Sequence, residues 1–339
     1  MNQHIGTQSI QFETPPVILS SAAIGGKKEL EGPLADSFDQ LETDTKFRQT
    51  SWEKAESTMQ HRALDTALGK QNLTKGDLDL VLAGDLLNQC IGSSFSLRDT
   101  GIPTLGLYGA CSTMAEGLCV GAMAVSSGFA RKAAVLTSSH FASSERQYRF
   151  PLGYGGQRTP TAQWTVTGAG CAILGAQGHG PRIVRATIGK IVDMGITDAN
   201  NMGAAMAPAA YETIRAHLSD FSLKPEDYDL IVTGDLGAVG KAIVADFFEQ
   251  DGVRLQGRYE DCGTLIYDRK KQDVHAGGSG CGCSGVVLCG YLLRAMAKRK
   301  FRRLLFCGTG ALLSPTSTQQ GESIPAVCHA VSIFHEEAL

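Results

Sequence analysis

Apolar positions along this chain alternate between two spacings. Short apolar runs of strand length occur at residues 17–23, 80–83, 105–108, 133–137 and 169–175. Between them, residues 52–68 and 112–127 carry apolar groups at helical spacing. The pattern then recurs, with a helix over 209–218, a strand over 230–233 and a helix over 239–249. A glycine-rich turn at 277–285 leads into a helix to about residue 299 and a strand over 303–307. Residues 146–165, crowded with glycine, proline and arginine, predict a long irregular segment. Strands separated by helices predict parallel sheets with right-handed crossovers, covered on both faces.

The chain also repeats itself in letters. Residues 73–86 read LTKGDLDLVLAGDL and residues 223–236 read LKPEDYDLIVTGDL, identical at seven of fourteen positions. A second match has a different offset. Cys111-Ser112 is followed, sixteen residues on, by Phe129-Ala130-Arg131, and Cys283-Ser284 by Phe301-Arg302-Arg303 at the same interval. Two matches in the same order predict a duplicated α/β unit, one copy in residues 1–181 and one in 182–339. Only the first copy sets its cysteine in a sharp, glycine-flanked turn, so function is expected where the halves differ.

Composition narrows the class. The 339 residues are 43% hydrophobic and 19% charged, with 40 glycines, which suits a soluble, turn-rich α/β protein. A net charge of −3 gives no reason to expect nucleic acid. The ten cysteines are unevenly spaced and several lie in apolar runs, as buried thiols do in a reducing compartment. The first residues, MNQHIGTQSIQFETPP, lack the basic start and apolar core of a secretory signal, and no apolar stretch reaches membrane-spanning length.

The candidate chemistry centres on Tyr108-Gly109-Ala110-Cys111-Ser112-Thr113-Met114. A strand entering a tight turn and then a helix puts Cys111 at the helix N-terminus, where free amides and the dipole favour a thiolate or a bound anion. The alternative is a small residue packing a crowded turn.

The residues YGACSTMAEGL, TVTGAGCAILGA (165–176) and CGTGAL (307–312), with the internal duplication, resemble the thiolase and ketoacyl synthase superfamily. That resemblance implies a duplicated αβαβα sandwich with two mixed, mainly parallel sheets, and a homodimer formed through the first-half sheet. It also implies that condensation would need two partners for Cys111, His with Asn or His with His, on two second-half loops. The first of these loops reads Gly234-Asp235-Leu236-Gly237-Ala238 and has no histidine; the second has Ser279 about where His or Asn belongs. Asp235 repeats Asp85 and reads as a turn residue, so the chain is expected not to be an enzyme. The alternative is an acyl-CoA or acyl-carrier acyltransferase using Cys111 as nucleophile, with His275 or Cys307 as relay.

Within the superfamily, YGACSTMAEG, the GDL loop and HAGGSGCGCSG are similar to a branch found in spore-forming bacteria. The resemblance implies a binding protein for dipicolinic acid, with calcium accompanying it, peripheral at the inner membrane of the developing spore. Its partners would be the membrane-embedded stage V sporulation A channel proteins. The expected binding residues are Cys111, Ser112, His140, Asp261, Cys262, Gly278, Ser279 and Cys307, with no protein-bound metal. His140 reads equally as pocket wall or buried structural residue, Asp261 as a turn aspartate, and His275 as an exposed loop histidine. Arg146, Arg149 and Arg158 could pair with ligand carboxylates or lie in solvent. The cluster Lys298 to Arg303 complements a helix C-terminus or meets a membrane or partner. Cys281-Gly282-Cys283 has no second cysteine pair and is a poor zinc site.

Overall fold

A computed structural model describes residues 3–148, 158–255 and 257–338. Five main strands form the first sheet: β1 (Val17–Gly25), β2 (Leu80–Gly84), β3 (Thr104–Gly106), β4 (Lys132–Ser139) and β5 (Gly168–Gly175), ordered β1-β5-β4-β2-β3, with the short Gln40–Leu41 added beside β1. The second has β6 (Arg182–Thr187), β7 (Leu230–Thr233), β8 (Tyr259–Asp261), β9 (Arg303–Ala311) and β10 (Ala326–Phe334), ordered β6-β10-β9-β7-β8. Both sheets are mixed in the same way, with two antiparallel junctions followed by two parallel ones. One pair, Arg182 with Val17, joins them edge to edge.

The main helices are α1 (Trp52–Gly69), α2 (Thr113–Ser126), α3 (Phe141–Tyr148), α4 (Met202–Asp220), α5 (Gly237–Gln250) and α6 (Cys281–Val286). Helix α6 continues through a π turn, Val287–Leu292, to Ala297. Among the described residues no helix is long and apolar enough to cross a membrane.

Strand alternation sorts side chains into layers. Val81, Ala83, Ala134, Leu136, Cys171 and Ile173 pack against Met59, Ala63 and Leu64 of α1. Ile231, Leu305, Cys307 and Ala330 pack against α4 and α5. The opposite faces meet in one central core, where Leu82, Val135 and Leu174 join Phe306, Val331 and the apolar sides of α2 and α6. Close approach there needs small residues: a Cβ on Gly170 of β5 would run into the backbone of Gly285 in α6.

The 73–86 and 223–236 repeats occupy equivalent places. Asp77 and Asp227 each cap a single helical turn, and Asp79 and Asp229 each accept the amides of two residues opening β4 or β9. The second repeat is in a different register from that expected. Gly128 and Arg299, 171 residues apart, both have positive φ after their helices, and the amides of Arg131 and Arg302 go to Asp79 and Asp229. At the other end, Ala110 (φ 52°) matches Gly280 (φ 102°) at an offset of 170. The extra residue is absorbed by the π turn. Cys111 therefore corresponds to Cys281, not Cys283, and both copies place a cysteine at a sharp turn before a helix.

Several segments differ from the sequence expectation. Helix α3 occupies the start of the stretch expected to be irregular. Helix α4 begins seven residues before residue 209 and runs through Pro208, its start capped by Asn201. Strands β6, β8 and β10 are not among the strands expected, although Gly178 to Pro181, Gly257 and Pro325 stand before them.

Candidate functional site

The chain leaves β3 through Leu107 and Tyr108 and turns sharply at Gly109-Ala110. Ala110 adopts φ 52°, a left-handed conformation that costs a non-glycine residue about 1 kcal/mol. A Cβ on Gly109 would meet the Glu116 carboxylate and the Ser112 hydroxyl, so those side chains would have to move to admit one. The Ser112 hydroxyl donates to Gly109 O at 2.6 Å and braces the turn. Cys111, 6% exposed, is thus presented at the approach to α2.

It opens on a cavity of about 260 Å³ at the junction of the halves. Leu86, Tyr148, Met202 and Leu313 supply an apolar wall; Ser144, Glu145, Thr165, Asn200 and Ser279 supply polar groups. Thr165 Oγ1 donates to Glu145 Oε1 at 3.3 Å. The Ser144 hydroxyl is buried without a partner among the described residues. No histidine, lysine or arginine is among the described lining residues.

Behind Cys111 lies Asp235, from the loop after β7, interacting side chain to side chain with the thiol. Asp235 Oδ2 accepts from Gly280 N at 2.7 Å and Ser279 Oγ at 3.2 Å, and Oδ1 from Thr309 Oγ1 at 3.0 Å. Burial pushes its carboxyl up to about 6, against an ordinary 3.8, although these hydrogen bonds oppose the rise. Burial, with the neighbouring Asp235 charge, pushes the Cys111 thiol well above its ordinary range. Desolvation and a nearby carboxylate thus oppose the thiolate that a helix N-terminus favours. Cys281 packs against Cys111 and donates its thiol to Ser138 O at 3.0 Å.

The expected site residues scatter around this centre. Ser279 lines the cavity with Cys111. Asp261 is fully buried outside the cavity, accepting from Thr233 Oγ1 and the amides of Leu236, Gly237 and Thr264. It thereby holds the loop that carries Asp235, and burial pushes its carboxyl up to about 7. Cys262 beside it lies in the central core. Gly278 is a backbone strut whose carbonyl accepts from Gln163 Nε2 at 2.7 Å.

Cys307 faces the core under α4 and α5, interacting with Cys328. His140 faces a separate hollow with Lys28 and Trp164; its Nε2 meets Thr45 O at 2.7 Å and its Nδ1 accepts from Ala142 N at 3.2 Å. His275 is tied to Thr159 O and Asp273, outside the Cys111 cavity. Arg146 pairs with Glu53 and Arg158 with Asp273, and Arg149 lies outside the described residues. Ser144, Glu145 and Tyr148 escaped sequence reading because no helix was expected there: Tyr148 fell in the segment read as irregular, and Ser144 and Glu145 in the unassigned residues just before it. Asp235 escaped because its repeat partner Asp85 suggested only a turn.

A cysteine elbow between two equivalent sheets, with paired helices as the middle layer, defines a thiolase-like fold of the condensing-enzyme type. Solved structures agree. The 3-oxoacyl-[acyl-carrier-protein] synthase III of Aquifex aeolicus VF5 superposes with a TM-score of 0.58 at 13% identity, covering 94% of this chain and 100% of that one. A single-residue variant of OleA from Xanthomonas campestris gives 0.63 at 14% identity, covering 96% and 97%. At the family level, the model for "Stage V sporulation protein AD (SpoVAD)" matches residues 6–334. The Stage V sporulation protein AD of Bacillus subtilis (strain 168) is 46% identical over 326 residues, 96% of each chain. The chain belongs to the stage V sporulation protein AD family.

Proposed function

We propose that the protein is a non-catalytic binding protein whose Cys111 cavity takes dipicolinate, pyridine-2,6-dicarboxylate, together with calcium, for uptake into the developing spore. The observation that carries this reading is the meeting of Cys111 with Asp235. Where condensing relatives are expected to use histidine, a buried acid sits beside a thiol held protonated; titrating near 6, that carboxylate is too weak a base to take the thiol's proton, which leaves Cys111 a poor nucleophile.

The cavity's size supports a small ligand. About 260 Å³ lies below the ~300–1,000 Å³ of ordinary ligand pockets, which suits a single flat ring better than an acyl chain. Its polarity supports a particular form of that ligand. With Leu86, Met202 and Leu313 forming an apolar wall, the uncharged calcium chelate is better matched than the bare dianion. The Ser144 hydroxyl is available to one carboxylate.

The family's sporulation name supports action in the spore, where the protein would sit peripherally at the inner membrane beside the stage V sporulation A channel proteins. A homodimer through β3 is part of the reading. That strand ends its sheet, and Leu105 and Tyr108 beside it are half exposed.

Calorimetric titration with dipicolinate, with and without calcium and with acetyl-coenzyme A as competitor, tests the proposal. Saturable dipicolinate binding, stronger with calcium and indifferent to the thioester, is expected. Cys111→Ala should fold normally and bind at least several-fold more weakly. Acylation of Cys111 by the thioester would replace this reading with an acyltransferase.

A further inference from the structure

The edge of the molecule at the far end of α2 from Cys111 is built unlike the rest of the surface. Phe129 is 89% exposed there, more than any other large apolar side chain among the described residues. It follows α2, whose 14 residues at about 1.5 Å each put it some ~20 Å from the Cys111 turn. By the 171-residue offset its counterpart in the second copy is Lys300, so one copy ends in a solvent-facing ring and the other in a cation.

The strand registers draw a line along this edge. Lys132 pairs with Gly175, Gly175 with Val17, Val17 with Arg182, Arg182 with Phe334, and Phe334 with Arg303. At about 4.8 Å per strand the line runs roughly 24 Å. Lys132, Arg182 and Arg303 lie on it, Phe129 stands just before one end, and Lys298 and Lys300 just before the other.

Three carboxylates on this edge are already engaged. Asp79 is held by Arg131, Glu337 by Arg299 and Arg302, and Glu336 lies 3.6 Å from His179. Lys132, Arg182, Lys298, Lys300 and Arg303 have no carboxylate ion pair among the described residues. A helix C-terminus accounts for Lys298 and Lys300. It accounts neither for Lys132, at the start of a strand, nor for a phenyl ring left in water close before it; Arg182 donates to Pro15 O and Gly178 O but has no carboxylate among the described residues to offset its charge.

We propose that this edge docks on an anionic lipid surface, with Phe129 entering the headgroup–acyl boundary and the unpaired cations meeting phosphate groups. The Cys111 end of α2 then faces water. This docking rests on the membrane-peripheral part of the proposed function and is independent of what the cavity binds.

Flotation with phosphatidylcholine vesicles, with and without phosphatidylglycerol, tests it. The wild-type protein should float with phosphatidylglycerol vesicles at low salt, much less at high salt, and not with phosphatidylcholine alone. Phe129→Ser should weaken partitioning on the order of tenfold, and Lys298→Glu with Lys300→Glu by at least about tenfold. Dipicolinate titration should match wild type in both variants; Phe129→Ser should also keep its melting temperature, while the charge reversals at a helix C-terminus should lower it by a few degrees. Absence of wild-type binding at low salt, the result expected if an acidic protein occupies the edge, overturns the proposal. Undiminished flotation of both variants does so as well. Loss of dipicolinate binding in every protein, with flotation intact, would sink the cavity reading and leave this one standing.

Discussion

A carboxyl group placed out of water beside a thiol changes the charge state of both, and Asp235 makes this measurable. Its folded value of about 6 lies above the ordinary 3.8, so the folded protein binds that proton more tightly than the unfolded chain does. The contribution is full below about pH 4 and is lost as pH rises through about 6. Asp235→Asn should therefore flatten the fall in stability between pH 4 and pH 7, by on the order of 3 kcal/mol for a shift of about two units. Thermal melts of both proteins across that range check this; superimposable profiles would show that Asp235 titrates normally. Removing the charge should also lower the Cys111 thiol and speed its alkylation at mildly alkaline pH. At this scale Cys111 was legible in the sequence because glycine, alanine and cysteine between strand and helix signal a turn that exposes a side chain. Asp235 was not, because an aspartate after GD-type strand ends reads the same whether it braces a loop or faces a thiol.

Elements were legible where apolar periodicity is undisturbed. The strands near residues 17–23, 80–83, 133–137 and 169–175, and α1 and α2, stand close to where the pattern puts them. Helix α3 did not show itself, since FASSERQY mixes polar and apolar residues and adjoins a glycine-rich stretch. The register of the second repeat was unreadable for a different reason. A π turn inserts one residue inside a continuous apolar helix without disturbing its composition, so matching letters aligned Cys111 with Cys283 while the geometry aligns it with Cys281. Gly280 is the residue this geometry depends on. Its φ is 102°, and a Cβ there would lie 2.7 Å from Ser139 Oγ. Gly280→Ala should cost roughly 2–3 kcal/mol and perturb the cavity wall through Ser279. Gly101→Ala, also at positive φ but with open space around it, should cost only ~1 kcal/mol. Equal denaturation midpoints for the two variants would refute the strain argument.

For the whole molecule, duplication explains both the architecture and the asymmetry. Two copies of a five-stranded sheet close around one core, and their helix-initiating turns meet at Cys111 and Cys281. Because β3 leaves one ladder open, Leu105→Lys should turn a dimer into a monomer by light scattering, an edge lysine being incompatible with strand addition. Dimer persisting in that variant would place the interface elsewhere. The sequence by itself determined the duplicated α/β class, the cysteine elbow and the lack of histidine on the loop after β7. These follow from local periodicity and residue identity, which need no partner in space. Only the tertiary structure decided that Asp235 stands behind Cys111, that Glu145 and Ser144 share its cavity, and that His140, Asp261 and Cys307 do not. Those relations join residues tens to hundreds of positions apart, and the packing of strands and helices, not the spacing of letters, brings them together or holds them apart.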